Sequence, residues 1–231
     1  MTQPERAHDA LSRLRPQQYA IVPYHHVQNP IVEPMWAGIR ALAAVEDGSV
    51  EVRGEDGEPV DERPEVRDAL ATAVRTRGAV LDGWLTKEAI HSGVELLSTV
   101  EMPTVSLLIQ KTFFGIRRDR QAEADAERRR LIDAQTFRDE EIVAFVATDL
   151  LWLDGDSLLE VPLLERKRLL GGIIEESELV RLGAFVRPPV DTWVTSWRRL
   201  GFVELSYRAA NSHYHPGTQH QDWTTARMPR R

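Results

Sequence analysis

Apolar residues at positions 7, 10, 11 and 14 recur at three- and four-residue intervals and predict a short helix within residues 2–18, ended by Arg15-Pro16. Two β-prone runs, 39–45 and 50–53, flank Asp47-Gly48, a pair that favours a tight hairpin turn. The spacing of Val66, Ala69, Leu70, Ala73 and Val74 predicts a helix over 64–77 with Gly78 as its C-terminal cap, followed by a strand over 79–85. Residues 117–134 are dense in Arg, Glu, Asp and Ala, with Asp125 four residues before Arg129, and read as an exposed helix. Beyond it the chain predicts a strand over 142–153 ended by Asp154-Gly155, a helix over 163–174 closed by Gly171-Gly172 or just beyond, a helix over 191–200 stopped by Gly201, and a strand over 202–208. Such alternation of short strands and helices predicts an α+β fold with mainly antiparallel strands.

Composition narrows the class without naming an activity. A chain of 231 residues with 42% hydrophobic content can bury one good core, and one compact domain over 1–231 is expected. The net charge of -7 argues against coating nucleic acid through bulk charge. There is no cysteine, so neither disulfides nor thiolate metal sites can form. With no long apolar run and no signal-like start, no membrane partner and a cytoplasmic location are expected.

Three segments carry more specific information. Residues 33–42 read Glu33-Pro34-Met35-Trp36-Ala37-Gly38-Ile39-Arg40-Ala41-Leu42, and residues 145–155 read F-V-A-T-D-L-L-W-L-D-G, followed by P-L-L-E-R at 162–166. Residues 210–217 read A-N-S-H-Y-H-P-G, with Asp222-Trp223 after them. These segments resemble, in order and approximate spacing, the adenylation domain of bacterial ATP-dependent DNA ligases, whose first motif often reads E-P-K-W-D-G-Y-R-A-L. The resemblance spans roughly residues 31–228, with a divergent stretch at about 86–141. It implies a ligase-type, ATP-grasp-like nucleotidyltransferase domain of two mainly antiparallel sheets flanked by helices. The OB-fold module of a complete ligase has no counterpart in these residues.

The resemblance places Met35 where the family has its nucleophilic lysine, and a thioether can neither lose a proton to attack phosphorus nor carry a cation's charge. Ala37 stands at the acidic position of the same motif, and Glu55 at a phosphate-facing arginine. In L-D-G-E-L the family's glutamate corresponds to Trp84 while Asp82 is kept; Thr148, before Asp149, takes the place of the aromatic residue that stacks on adenine. The glutamate and lysine of the fourth motif fall on Val203 and Arg208, with Glu204 expected on the opposite strand face, and the lysines of the fifth fall on Thr225 and Arg227. The remnants of the nucleotide pocket are therefore Trp36, Gly38, Arg40, Asp82, Trp84, Thr148, Asp149, Val203, Arg208 and Arg227, with no intact catalytic residue. Of the lysines, Lys167 falls on a predicted helix, Lys111 in the divergent stretch, and Lys87 after a strand, which makes it the one faint substitute nucleophile.

The same segments hold side chains capable of other chemistry. His213, His215 and His220 with Asp222 form a loop cluster that could bind a transition metal, but a bland loop with a packing tyrosine is the simpler reading, and no metal site is expected. The carboxylates Asp82, Asp149, Asp154, Glu204 and Asp222 show no spacing that specifies acid/base work and read as structural, as do Trp36, Trp152, Trp193, Trp197 and Trp223. Arg40, Arg208 and Arg227 can hold phosphate without activating it, or can pair with Glu33, Asp82 or Glu204 while Trp84 and Met35 fill the cavity. The expectation is a degenerate homologue acting as a binding or scaffold protein without a cofactor, its partner a DNA-processing protein or DNA phosphate. The alternative is an active, divergent ATP-dependent ligase in DNA repair, using ATP and Mg²⁺.

Overall fold

A computed structural model describes residues 5–60, 64–86 and 144–228. The helix predicted at 117–134 and most of the divergent stretch lie outside the described residues. The described residues form two sheets and four α-helices. In order these are α1 (Ala7–Arg13), β1 (Gln18–Ala20), β2 (Pro30–Pro34), β3 (Ile39–Glu46), β4 (Ser49–Gly54), α2 (Pro64–Ala73), β5 (Gly78–Thr86), β6 (Ala144–Leu153), β7 (Asp156–Ser157), α3 (Leu163–Ile173), β8 (Val180–Leu182), α4 (Asp191–Arg199), β9 (Glu204–Ala209) and β10 (Gln219–Arg227).

One sheet runs β4-β3-β5-β6-β7, with β8 added parallel to β6; the other runs β1-β10-β9-β2, antiparallel except for β1. The hairpin between β3 and β4 turns on Asp47 and Gly48, both at positive φ (49° and 81°), as a tight two-residue loop requires. Each sheet has two sides with different partners. Ala41, Ala43, Leu81 and Phe145 pack on Val66 and Leu70 of α2 and Leu170 of α3. Leu205 and Tyr207 of the second sheet pack with Val194 and Trp197 of α4. The remaining two faces meet each other: Leu42, Ala44, Val80 and Leu151 pack with Ile31, Trp223, Tyr214 and Leu11 of α1. The strand period of two then decides which polar residues are trapped between the sheets.

Several boundaries differ from the sequence reading. The second helix stops at Ala73, because Val74 bridges Ile174 and the Arg75 amide donates to the Ile173 carbonyl; Gly78 is no cap but the first residue of β5. A Cβ at Gly78 would meet the Trp152 ring at 2.9 Å, which accounts for the glycine by close packing. The third helix runs through Gly171-Gly172 to Ile173, within one residue of the expected end. Val203 precedes β9, and Glu204, Ser206 and Arg208 share one face by alternation, so Glu204 lies on the side of Arg208 and not opposite the site.

Candidate functional site

Six elements, five strands and a helix, aim charged side chains into the space between the sheets, Asp149 coming from β6. β2 supplies Glu33, β3 Arg40, β5 Asp82 and β9 Arg208, each on the inward face of its strand. β6 carries irregularities where Leu81 pairs with Leu150, Asp82 with Asp149, and Gly83 with Ala147, so Thr148 is an extra residue opposite none. Such a bulge turns a backbone carbonyl out of the ladder. The Thr148 carbonyl accepts from Lys167 Nζ at 2.7 Å and from Arg208 Nη2 at 3.2 Å, while its hydroxyl donates to the Asp82 carbonyl at 3.2 Å. α3 adds Arg166 and Lys167 from the edge of β6.

The pairs are made with full commitment of their atoms. Arg40 holds Asp82 in a fork, Nε to Oδ1 at 3.0 Å and Nη2 to Oδ2 at 2.7 Å. Tyr214 donates to the same Oδ2 at 2.8 Å and accepts from the Gln17 amide at 2.8 Å. Arg166 grips Asp149 with two bonds of 2.8 Å, and its Nη1 also donates to the Ser212 carbonyl at 3.2 Å. Glu33 bridges Lys167 and Arg208, one carboxylate oxygen to each. Arg208 also lies 3.7 Å from Asp149 and 4.6 Å from the Trp223 ring centre, while Arg40 lies 5.2 Å from that of Tyr19. Every one of these charged groups is at most 7% exposed.

Three carboxylates, Glu33, Asp82 and Asp149, therefore face four cations, Arg40, Arg166, Lys167 and Arg208. Lysine is the cation able to relieve the excess by losing its proton. Burial, partly opposed by Glu33 and reinforced by Arg208, pushes the Lys167 ammonium down to about 8. Burial works against the Asp149 carboxylate, but Arg166, followed by Arg208 and Lys167, overrides it and holds its pKa below the ordinary value. Burial raises the Tyr214 hydroxyl well above its usual value, with Asp82 adding to the shift. Nε and Nη1 of Arg208 have no hydrogen-bond acceptor among the described residues, so its remaining support comes from Asp149 and the indole face.

Arg40, Asp82, Thr148, Asp149 and Arg208 are thus brought together. Others are not. Trp36 packs edge-on against Phe202 at 5.0 Å in the cluster under α4. Half-buried Trp84, 5.6 Å from the Arg40 guanidinium, packs against that cluster too and faces a cleft at the Gly38 end of β3. Val203 is 76% exposed, off the strand and away from the network. Arg227 is exposed at the end of β10, in register with Glu204. Met35 is half-buried, its amide donating to the Glu204 carbonyl at 3.0 Å.

The sequence reading missed Arg166 and Lys167. A signal was present: Leu163, Arg166, Lys167 and Leu170 are the buried residues of α3 and fall at intervals of three and four, so two cations occupy an apolar stripe. The histidines divide between neighbours. His213 faces Glu160 at 3.0 Å, His220 faces Asp222 at 3.1 Å, and His215 stacks on His220 at 4.3 Å; among the described residues no three metal-ligating side chains converge.

No family model matches the chain. The DNA ligase of Thermococcus fumicolans is 33% identical over 79 residues, which are 32% of this chain and 14% of that protein. Among solved structures, the ligase domain of M. tuberculosis LigD aligns with a TM-score of 0.58 at 21% identity, over 94% of this chain and 60% of that one. Mycobacterial DNA ligase D complexed with ATP and MES aligns at 0.59 and 21%, with the same coverage. A structure described as DNA binding with a minimal scaffold, from work on Lig E DNA ligases, aligns at 0.52 and 14%, over 92% of this chain and 68% of that one. The fold is that of the ligase nucleotidyltransferase domain. The chain spans about 60% of the mycobacterial structures and 14% of the curated relative. No helix among the described residues is long and apolar enough to cross a membrane.

Proposed function

We propose that this chain is a ligase-type adenylation fold that has lost nucleotide transfer and serves as a binding or scaffold protein. The observation that carries the reading is the closed ion-pair network. The groove that would hold a nucleotide has its cations engaged by Glu33, Asp82 and Asp149, beside a methionine where the resemblance puts the attacking amine. A triphosphate would have to displace carboxylates from pairs already made in a low-dielectric interior and leave those carboxylates buried without their cations. Thr148 offers the purine no aromatic face, and its carbonyl is taken by Lys167 and Arg208. The setting proposed for such a scaffold, from its likeness to ligases, is alongside DNA-processing proteins or DNA phosphate.

A second reading is favoured by one observation. The Lys167 amine lies inside the same groove with its pKa pushed down to about 8, a property that activates lysine nucleophiles. On this reading Lys167 would attack the α-phosphorus of ATP, lose its proton, and expel pyrophosphate, making the chain an active divergent nucleotidyltransferase. Incubation with α-labelled ATP and magnesium, followed by denaturing electrophoresis, separates the two. The scaffold reading predicts no label on the protein, before or after Met35→Lys. Label that survives in the wild type and disappears in Lys167→Met would replace it with the second.

A further inference from the structure

From the charge and shape of the cleft beside Trp84 we infer that it is a docking site for a cationic, partly apolar peptide segment of a partner protein. The inference goes beyond the proposed function and does not depend on whether Met35 silences adenylation. The cleft has a volume of 740 Å³, and its lining includes Gly38, Ile39, Trp84, Glu55, Asp56 and Glu58. That is the size of a small-ligand site and has room for a few side chains.

Its walls are of two kinds. Ile39 is 53% exposed, an unusual state for a large aliphatic side chain at the start of a strand, and both it and half-buried Trp84 line the cleft. The loop after β4, in the same lining, carries Glu55, Asp56 and Glu58, all exposed. The loop is held in shape: the Gly54 amide donates to the Glu58 carbonyl at 2.9 Å, the Glu58 amide to Asp56 Oδ1 at 2.9 Å, and Gly57 sits at a φ of 86°. The carboxylates are thus presented on a fixed turn.

Among the described residues the nearby cations are engaged elsewhere. Arg40 lines the floor but is buried in its fork with Asp82. Arg53 pairs with Glu51, and Arg15 packs behind Gly57 with its Nη1 on the Leu14 and Ser12 carbonyls at 2.7 and 3.2 Å. An anion entering here would meet three carboxylates, so phosphate and nucleic acid are disfavoured. A small metal ion is disfavoured too, because among the described residues no three metal-ligating groups converge. What fits is a cation carried on an apolar stem: an arginine or lysine side chain lying over Trp84, with an aliphatic neighbour at the exposed Ile39.

The test uses the full chain and fluorescence anisotropy of a short labelled peptide of alternating arginine and leucine. The peptide is expected to bind, more weakly as salt rises, and to lose about tenfold or more in affinity when Glu55→Lys and Glu58→Lys are combined. The charge-matched control Asp156→Lys with Glu178→Lys, on exposed positions away from the cleft, is expected to keep most of the affinity. Absence of peptide binding, or equal losses in both double variants, would overturn the inference. So would a labelled DNA strand that binds the cleft in preference to the peptide. Self-association of the chain abolished by the Glu55/Glu58 variant, without peptide binding, would assign the cleft to a second copy and overturn it as well.

Discussion

Arg166 and Asp149 exchange two hydrogen bonds of 2.8 Å with neither side chain exposed to solvent, so neither partner has water to turn to when the other is removed. Arg166→Met is expected to lower the free energy of unfolding by about 3–5 kcal/mol, read as a drop in the urea midpoint at unchanged slope. Lys167 gives the opposite kind of signature. Its folded pKa of about 8 lies below the ordinary 10.5, so between those values the unfolded chain binds more protons than the folded one, and stability must rise with pH. The rise is at most about 3 kcal/mol, and Lys167→Met should flatten it. The window is a clean one, with no cysteine and only three lysines in the chain. Above about pH 10 the trend reverses, because the raised Tyr214 hydroxyl keeps its proton only in the folded state. Chemical denaturation at intervals from pH 7 to 10 checks this, and a flat wild-type profile would contradict it. These residues were only partly legible in the sequence. Arg40, Asp82 and Arg208 stood in recognisable segments, and pairing of Arg40 with Asp82 and Arg208 with Glu33 was foreseeable. That the groove also takes two cations from α3 required reading charged residues as part of a buried stripe.

Among the elements, those with a clear apolar period and local turn chemistry were the legible ones: the β3–β4 hairpin on Asp47-Gly48, β5, β6, and α4 with Gly201 at a φ of 99° after it. Two kinds of element escaped. β10 reads Gln-His-Gln-Asp-Trp-Thr-Thr-Ala-Arg, and its strand state comes from pairing with β9 and β1, not from any alternation of its own. The end of α2 differs, because the bridge from Val74 to Ile174, and not Gly78, stops the helix at Ala73, whereas α3 ends within one residue of its expected bound, past two glycines. Gly171 and Gly172 therefore sit in the last turns of α3, exposed, with nothing within 4 Å of a built Cβ. Gly171→Ala is expected to raise stability by about 0.5–1 kcal/mol, since alanine restricts the unfolded chain at no steric cost. Thermal denaturation would register this as a higher midpoint; a lower midpoint would mean that the helix needs glycine there.

For the molecule as a whole, the order of motifs gave the architecture more readily than the chemistry. Two facing sheets with helices on their outer sides follow from strand alternation and from apolar faces that need cover. The same alternation delivers five charged side chains into one interior and α3 adds two more, and their mutual pairing, not the fold, bears on whether a ligand can enter. The proposal that the groove is satisfied by its own residues is tested most directly by calorimetric titration of the full chain with ATP and magnesium. The account predicts no saturable heat at physiological salt, and none for Arg40→Ala or Arg208→Met. Saturable nucleotide binding by the wild type, lost on either substitution, would show that the ion pairs open for a phosphate and would contradict it.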